Sequence, residues 1–274
     1  MPAKVDLYNN AYGNYNAEVY RQISVETYGE DLGQTSWVTA EESAEIPREL
    51  RLSPSSRVLE IGCGSGRYAL RVAETQRCRV VGVDINSAGI ETANRLAADR
   101  NVSTQVHFEI CDVSKPLPFA DAQFDAVFSN DVLCHIPGRE ALLRELFRVL
   151  ANGGRFLFSD ALVIGGLISQ EEIETRSSIG YFVFSPPGKN EELIEQAGFR
   201  LESANDTTKN AASIAKRRFD ARQQRREALI AIEGETNFEG VQRFLSAVHT
   251  LTNEKRLLRF VYLAQKPTKS TMST

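Results

Sequence analysis

The sequence lacks the long apolar runs of a membrane protein and the excess of positive charge typical of nucleic-acid-binding proteins. No stretch of its 274 residues approaches the roughly 20 apolar residues needed to span a bilayer. The polar start MPAKVDLYNN also lacks the apolar core of a signal peptide. The formal net charge is -4, so the chain as a whole does not attract a polyanion. We expect a cytoplasmic protein that works without nucleic acid or a membrane.

Cysteine is scarce, and its spacing argues against two kinds of site. The four cysteines lie in or beside apolar, strand-like runs, without a CxxC pair and without the cysteine and histidine spacing of a metal centre: Cys63, Cys78, Cys111 and Cys134. Internal repeats and low-complexity linkers are absent as well. We expect reduced structural thiols and no bound metal.

Strand-like and helix-like segments alternate through the middle of the chain. The predicted strands are 57–62, 79–85, 105–112, 124–131 and 155–162, and the predicted helices are 66–75, 87–100 and 138–151. Strands joined by connections of helical length predict a parallel sheet with right-handed crossovers. Past the fifth strand come four further predicted elements: a helix near 189–197, a strand over 199–206, a helical insertion over about 207–255 and a last strand over 256–266. The pattern predicts an α/β fold whose last two strands form a closing antiparallel pair.

Three glycines follow the first predicted strand in the segment VLEIGCGSG. Glycines at alternate positions let the backbone turn sharply and bring main-chain amides close to a ligand, so a nucleotide-like group should lie on this loop. A dinucleotide-binding loop reads GxGxxG and holds a pyrophosphate, whereas this loop reads GxGxG and follows Glu60. The carboxylate disfavours a pyrophosphate and suits the cationic amino-acid part of S-adenosylmethionine.

Two more carboxylates end the next two predicted strands. Asp84 ends VVGVD, where it can accept hydrogen bonds from both hydroxyls of a ribose. Asp112 ends HFEICD and can accept from the exocyclic amine of adenine. Either residue alone could equally cap a strand or a helix. Together with Glu60 and the glycine loop, they indicate a crevice for an adenosine-containing ligand.

Five segments resemble the successive motifs of class I S-adenosylmethionine-dependent methyltransferases: VLEIGCGSG, VVGVDI, ICDV, FDAVFSNDVLCHI and RVLANGGRFLFSD. The resemblance implies a doubly wound, seven-stranded, mostly parallel sheet of the Rossmann-like methyltransferase type, with S-adenosylmethionine as cofactor. It also implies a set of cofactor contacts: Gly62 and Gly64 on the loop, Asp84 at the ribose, Ile85, Cys111, Asp112 and Val113 at the adenine, and Asn130 at the methionine end.

Two further segments, VETYGEDLGQTSW and SNDVLCHI, are similar to the small-molecule branch that includes sarcosine/dimethylglycine and phosphoethanolamine methyltransferases. In that branch an N-terminal helix closes over the cofactor and brings a tyrosine toward a histidine. By this resemblance His135 and Tyr15, or a neighbouring tyrosine, are the candidate catalytic residues, and Gln34 lies where the lid meets the cofactor. Residues 1–50 would form a helical lid and 51–274 the methyltransferase domain, with 207–255 as its cap.

The transfer of a methyl group requires an aligned nucleophile and the exclusion of water, and a base helps when the acceptor is a hydroxyl or an ammonium. His135 could be this base, or it could cap the helix after Pro137. Arg176 is the only basic residue between 161 and 188, which disfavours a phosphate-bearing acceptor. The aromatic residues Tyr181, Phe182 and Phe184 could form either an apolar acceptor wall or core beneath the cap.

We therefore expect methyl transfer to a small, mainly apolar acceptor at oxygen or nitrogen, with carbon as a further possibility. One alternative is an enzyme of the same fold that binds the cofactor but catalyses a different reaction, such as a cyclisation. A nicotinamide-dependent oxidoreductase is disfavoured by the loop spacing. The basic run KRRFDARQQRR (216–226) is interpreted as a solvated helix face, and two cap helices could form a homodimer interface.

Overall fold

A mostly parallel sheet of seven strands forms the centre of the molecule in our computed structural model, which describes residues 5–14 and 17–268. The strands are β1 (Arg57–Ile61), β2 (Arg79–Asp84), β3 (Val106–Ile110), β4 (Phe124–Asn130), β5 (Leu150–Ile164), β6 (Arg200–Asp206) and β7 (Leu257–Gln265). Their order is β3-β2-β1-β4-β5-β7-β6, and β7 runs antiparallel to both of its neighbours. The predicted α/β fold with a closing antiparallel pair is confirmed.

Helices cover both faces of this sheet. In the described segments they are α1 (Tyr8–Gly13), α2 (Glu18–Tyr28), α3 (Ala40–Glu49), α4 (Arg67–Gln76), α5 (Ser87–Asp99), α6 (Arg139–Val149), α7 (Gln170–Arg176), α8 (Lys189–Gln196), α9 (Thr208–Gln224), α10 (Arg226–Glu233) and α11 (Glu235–Asn253). The helical insertion before the last strand is confirmed as α9 to α11. Across the two described ranges, none of the helices is long and apolar enough to cross a membrane.

The central strands are apolar on both faces because helices cover each side of the sheet. Along β1, Val58 joins the core cluster on one face, and Leu59 and Ile61 join the cluster on the other. Ile46 and Leu50, from α3 and its end, pack into the same cluster as Val58. Thus α3 lies against the sheet, although it belongs to the segment 1–50 that the sequence groups into a lid.

The carboxyl ends of β1 to β4 meet at one edge of the sheet. In the ladders, Ile61 pairs with both Val83 and Ser129, and Asp84 pairs with Ile110. The glycine loop and the segments after β2, β3 and β4 therefore come together. The N-terminal helices and the cap cover this edge, and they pack on each other through a shared apolar cluster that includes Leu7, Trp37 and Phe244. The fold thus places a covered crevice over the strand ends.

The basic run at 216–226 is only partly a solvated face. Arg218 and Arg222 are buried at 7% and 2% exposure, and Arg222 forms an ion pair with Glu233. Lys216 remains exposed and pairs with Asp220 one turn away. The prediction of a solvated face is therefore wrong for the inner side of α9. There the helix packs against α2 of the lid, so its charged residues are buried between the two helices.

Candidate active site

A cavity of about 350 Å³ opens at the carboxyl edge of β1 to β4. This volume lies within the range of roughly 300–1,000 Å³ that is usual for small-molecule sites. All but one of the predicted site residues line it: Gln34, Glu60, Gly62, Gly64, Asp84, Ile85, Cys111, Asp112, Val113, Asn130 and His135. The exception, Tyr15, lies outside the described residues.

The glycine loop has a backbone shape that only glycine adopts easily. Gly62 and Gly64 have φ angles of 75° and 52°. A Cβ atom on Gly62 would lie 2.2 Å from Val132 Cγ2, and one on Gly64 would lie 2.6 Å from the Tyr12 hydroxyl oxygen. The Gly64 N–H donates to Asp84 Oδ2 at 2.8 Å. The carboxylate of Asp84 thus holds the loop against the end of the next strand.

Two buried oxygens beside this loop have no hydrogen-bond partner within the described ranges: Glu60 Oε2 and Asn130 Oδ1. A buried polar atom without a partner costs stability, so each calls for a donor from a ligand. Burial, and secondarily the charge of Asp84, raises the pKa of Glu60 to about 8. The ammonium of a methionine group would supply donors and a compensating charge here. The residues present therefore fit the amino-acid end of S-adenosylmethionine.

The other side of the loop offers a mainly apolar surface with a carboxylate at its rim. The side chain of Ile85 is exposed, whereas Cys111 and Val113 are buried. Asp112 Oδ1 accepts hydrogen bonds from the backbone N–H and the hydroxyl of Ser114, which lower the pKa of this carboxyl group. A nucleobase such as adenine, whose flat ring carries polar groups at its edge, would suit this surface.

His135 is fixed in one neutral form by two hydrogen bonds. Its Nδ1 lies 3.0 Å from the carbonyl oxygen of Tyr181, and its Nε2 lies 3.0 Å from the Tyr8 hydroxyl. Because a carbonyl oxygen only accepts, Nδ1 carries the proton and Nε2 accepts from Tyr8. Burial lowers the pKa of His135 to about 4 and raises that of Tyr8, so both groups are neutral at physiological pH.

The described tyrosines of α1 are Tyr8 and Tyr12, and both contact the site. Tyr8 bonds to His135, and Tyr12 lies over Gly64 with its hydroxyl 3.3 Å from Thr35 Oγ1. The predicted candidate was Tyr15 or a neighbouring tyrosine, and Tyr15 itself lies outside the described residues. A spacing of four residues puts two side chains on one helix face, and this was the signal that could have identified the pair.

Asp131 holds the loop after α2 against the sheet. It accepts from the backbone N–H of Trp37 at 2.8 Å and from Arg259 Nε at 3.0 Å. Arg259, on β7, also pairs with Glu42 of α3 at 2.7 Å. Arg259 was not among the predicted site residues, although a single arginine inside the apolar run LLRFVYLA was a usable signal. The network connects the lid loop to β4, β7 and α3.

The far end of the cavity contains a buried cation between aromatic rings. The guanidinium carbon of Arg176 lies 4.3 Å from the ring centre of Phe182 and 5.1 Å from that of Phe244. Of the predicted aromatic wall, Phe182 lines the cavity, whereas Tyr181 is 59% exposed and Phe184 packs in a cluster with Leu162 and Leu257. Phe182 thus fits the predicted acceptor wall, and Phe184 fits the alternative of core beneath the cap.

Two curated relatives share most of this chain's length. The 27-O-demethylrifamycin SV methyltransferase of Amycolatopsis mediterranei (strain S699) is 29% identical over 265 residues, which are 91% of this chain and 95% of that protein. Phosphoethanolamine N-methyltransferase 1 of Triticum aestivum is 29% identical over 207 residues, which are 76% of this chain and 41% of that protein. The chain therefore spans less than half of the Triticum protein.

Two solved structures share the fold. Phosphoethanolamine N-methyltransferase 2 of Haemonchus contortus, in complex with phosphomonomethylethanolamine and S-adenosylhomocysteine, has a TM-score of 0.79 at 21% identity. The match covers 96% of this chain and 61% of that one. SpnF, a (4+2) cyclase, has a TM-score of 0.71 at 19% identity, covering 98% and 100%. At these identities the likeness concerns the fold alone.

A family model described as a methyltransferase domain matches residues 52–198, which is more than half of the chain. The matched segment carries the glycine loop, the strand-end carboxylates and the buried oxygens that fit S-adenosylmethionine. The chain therefore belongs to the methyltransferase-domain family and is an S-adenosylmethionine-dependent methyltransferase.

Proposed function

We propose that this protein methylates a small, mainly apolar acceptor at oxygen or nitrogen, with the Tyr8–His135 pair receiving the acceptor's proton. One observation carries the proposal. A single cavity is lined by Glu60 and Asn130, whose buried oxygens lack a hydrogen-bond partner among the described residues, and by a neutral histidine–tyrosine pair together with apolar side chains. Such a cavity can hold a cofactor and a small acceptor side by side.

In this proposal the cofactor lies along the strand ends. Glu60 and Asn130 bind the ammonium of the methionine end, Asp84 binds the ribose, and Gly62 and Gly64 let the backbone approach the ligand. The carboxamide of Gln34 can donate to the methionine carboxylate, because its oxygen already accepts from Leu32 N–H at 3.1 Å. The adenine then lies against the remaining predicted contacts: Ile85, Cys111, Asp112 and Val113.

Bound S-adenosylmethionine supplies a methyl carbon on a cationic sulfur, which becomes a neutral thioether when the acceptor's lone pair takes the methyl group. The acceptor's proton then has to leave. Tyr8 lines the cavity and bonds to His135 Nε2, so its hydroxyl can accept this proton while passing its own to the imidazole. Because the imidazole has a pKa of about 4, the pair works best with an acceptor whose proton is already acidic.

The acceptor end is mainly apolar. It is lined by Leu7, Trp37, Ile179, Phe182 and Phe244, and Arg176 is the only lysine or arginine among the described lining residues. A phosphate dianion would need more paired charge than one guanidinium provides, so a phosphobase is disfavoured. The name of the Amycolatopsis relative specifies a 27-O position, which favours oxygen as the methylated atom.

The test is product formation from a panel of acceptors. The purified protein is incubated with S-adenosylmethionine and with apolar alcohols, phenols, amines and phosphoethanolamine, and S-adenosylhomocysteine and the methylated product are measured by mass spectrometry. We expect stoichiometric methylation of at least one apolar phenol or alcohol and none of phosphoethanolamine. Turnover of phosphoethanolamine alone would contradict the proposed acceptor class.

A reaction without methyl transfer is the alternative, since a cyclase shares this fold. The same assay separates the two. An acceptor that is converted without S-adenosylhomocysteine formation would favour the alternative, whereas equal amounts of both products support methylation.

A further inference from the structure

Arg176 is a buried cation that pairs with none of the described carboxylates. Its side chain is at the end of α7, the residue is 2% exposed, and its Nη1 has no hydrogen-bond partner within residues 5–14 and 17–268. None of the carboxylates in those ranges forms an ion pair with it. Arg222 and Arg259 are buried to a similar degree, yet Arg222 pairs with Glu233 and Arg259 with Glu42 and Asp131.

An unpaired guanidinium in such a place costs stability. It stays protonated, because arginine does not lose its proton in proteins, and the loss of water around the charge is only partly offset by the rings of Phe182 and Phe244. A methionine or leucine would fill the same apolar space without this cost. The observation therefore points to a negative charge that arrives with a ligand.

We propose, on the basis of the proposed function, that the acceptor carries one anionic oxygen on an otherwise apolar body and that Arg176 binds this oxygen. Arg176 lines the acceptor end of the cavity and is the only lysine or arginine among its described lining residues. One guanidinium matches one anionic group, such as a carboxylate or an ionised phenol or enol. Arg176 is thus a specificity-determining residue.

The anionic oxygen would lie close to the proton-accepting pair. The ring of Phe182 lies 4.3 Å from both the guanidinium of Arg176 and the imidazole of His135. Two carboxylates act on Arg176 from nearby, but Asp131 is paired with Arg259 and Asp160 with Arg139. Tyr8 and His135 are joined to each other. Arg176 therefore remains the available cation for an acceptor at this end. If the anion is a second group that anchors the acceptor, Tyr8–His135 receives the proton of the methylated atom. If it is the methylated oxygen itself, which has already lost its proton, the pair only positions it.

The experiment measures binding of matched probes to the protein saturated with S-adenosylhomocysteine. The probes are 2-naphthoate, a carboxylate; 4-hydroxycoumarin, an ionised enol at neutral pH; and 2-naphthamide, the neutral counterpart of the first. By calorimetry we expect at least one anionic probe to bind about tenfold or more tightly than the amide. A preference for the enol alone identifies the methylated oxygen as the anion, whereas a preference for the carboxylate identifies an anchoring group.

Three variants test whether Arg176 causes the preference for anionic probes. Arg176→Met should bind all three probes with similar affinity, and Arg176→Lys should keep part of the preference. Arg226→Met, at a half-exposed position on α10 outside the cavity lining, should leave the preference unchanged. Arg176→Met should also keep its affinity for S-adenosylhomocysteine and should melt no lower than the wild type, because a desolvated charge has been removed. If Arg176 had a purely structural role, Arg176→Met would instead melt at a lower temperature than the wild type.

Two results would overturn the inference: anionic probes that bind the wild type no better than the amide, or an unchanged preference in Arg176→Met. If Arg176→Met fails to fold, the affinities of the wild type for the anionic probes and for the amide still test the inference. Methylation of neutral acceptors together with either result would leave the proposed function intact. The absence of S-adenosylhomocysteine formation with every acceptor would count against the proposed function.

Discussion

The protonation state of Glu60 makes both stability and cofactor binding depend on pH. Burial raises its pKa to about 8, so the folded, ligand-free protein prefers the protonated form and loses stability as the pH rises from about 4.5 to about 8. We predict that Glu60→Gln abolishes this loss and weakens S-adenosylhomocysteine binding about tenfold or more at high pH. Melting curves against pH, with and without ligand, measure both effects.

The exposed Glu74→Gln is the matched control for this prediction, since Glu74 forms only a surface ion pair with Arg100. It should change neither the pH dependence nor the ligand affinity. If Glu60→Gln behaved like this control, the carboxylate would have no part in binding the cofactor.

The Tyr8–His135 pair makes the second prediction at this scale. His135→Gln should lower kcat by about 10²- to 10⁴-fold, because the final proton acceptor is lost, and Tyr8→Phe should lower it to a similar extent, because the hydroxyl that takes the acceptor's proton is lost. The affinity for S-adenosylhomocysteine should hardly change in either variant. Steady-state kinetics and calorimetry separate the two quantities. His107→Gln, on the exposed side of β3, is the control and should resemble the wild type.

The sequence indicated the residues that follow regular strand ends, because a strand–loop–helix pattern fixes where such residues lie. By resemblance it also predicted that a lid tyrosine approaches His135, but it did not single out Tyr8, and it did not predict the contact between Asp131 and Arg259. Tyr8 and His135 are 127 positions apart, and Asp131 and Arg259 are 128 positions apart. Contacts of this kind depend on how the lid and β7 pack in three dimensions, and no local spacing encodes them.

At the scale of elements, the buried pair of Arg259 and Asp131 holds β7, β4 and the lid loop together. We predict that Arg259→Met lowers the free energy of unfolding by about 3–5 kcal/mol, because Asp131 and Glu42 lose their partner. Chemical denaturation measures the change. Arg57→Met, which breaks the half-exposed pair with Asp125, should cost about 1 kcal/mol or less. Similar losses in the two variants would contradict this role.

Element bounds were predictable where periodicity was strong. The predicted helices that became α4, α5, α6 and α8 agree with the structure to within two residues. The 3-10 turn Leu133–His135 and α7 were missed, since three and seven residues are too short to show a helical period. β5 begins five residues earlier than predicted, because the chain passes from α6 into the strand with a register shift opposite Phe124.

At the scale of the whole molecule, the N-terminal helices and the late helix α11 together cover one cavity. Val5 and Leu7 share an apolar cluster with Val241, Phe244 and Leu245 of α11, so the lid and the cap pack as one cover. We predict that S-adenosylhomocysteine slows hydrogen exchange in 5–14 and 30–38, which line or border the cavity, and leaves α8 unchanged. Exchange measured by mass spectrometry tests this. Protection spread evenly over the chain would contradict local closure.

The central claim is that one cavity orients the cofactor with its sulfur toward the Tyr8–His135 end. A crystal structure with S-adenosylhomocysteine tests it most directly. The account predicts the amino group beside Glu60 and Asn130, the adenine beside Ile85 and Val113, and the sulfur facing Tyr8 and His135. A ligand bound elsewhere, or bound here with its sulfur turned away from His135, would contradict it.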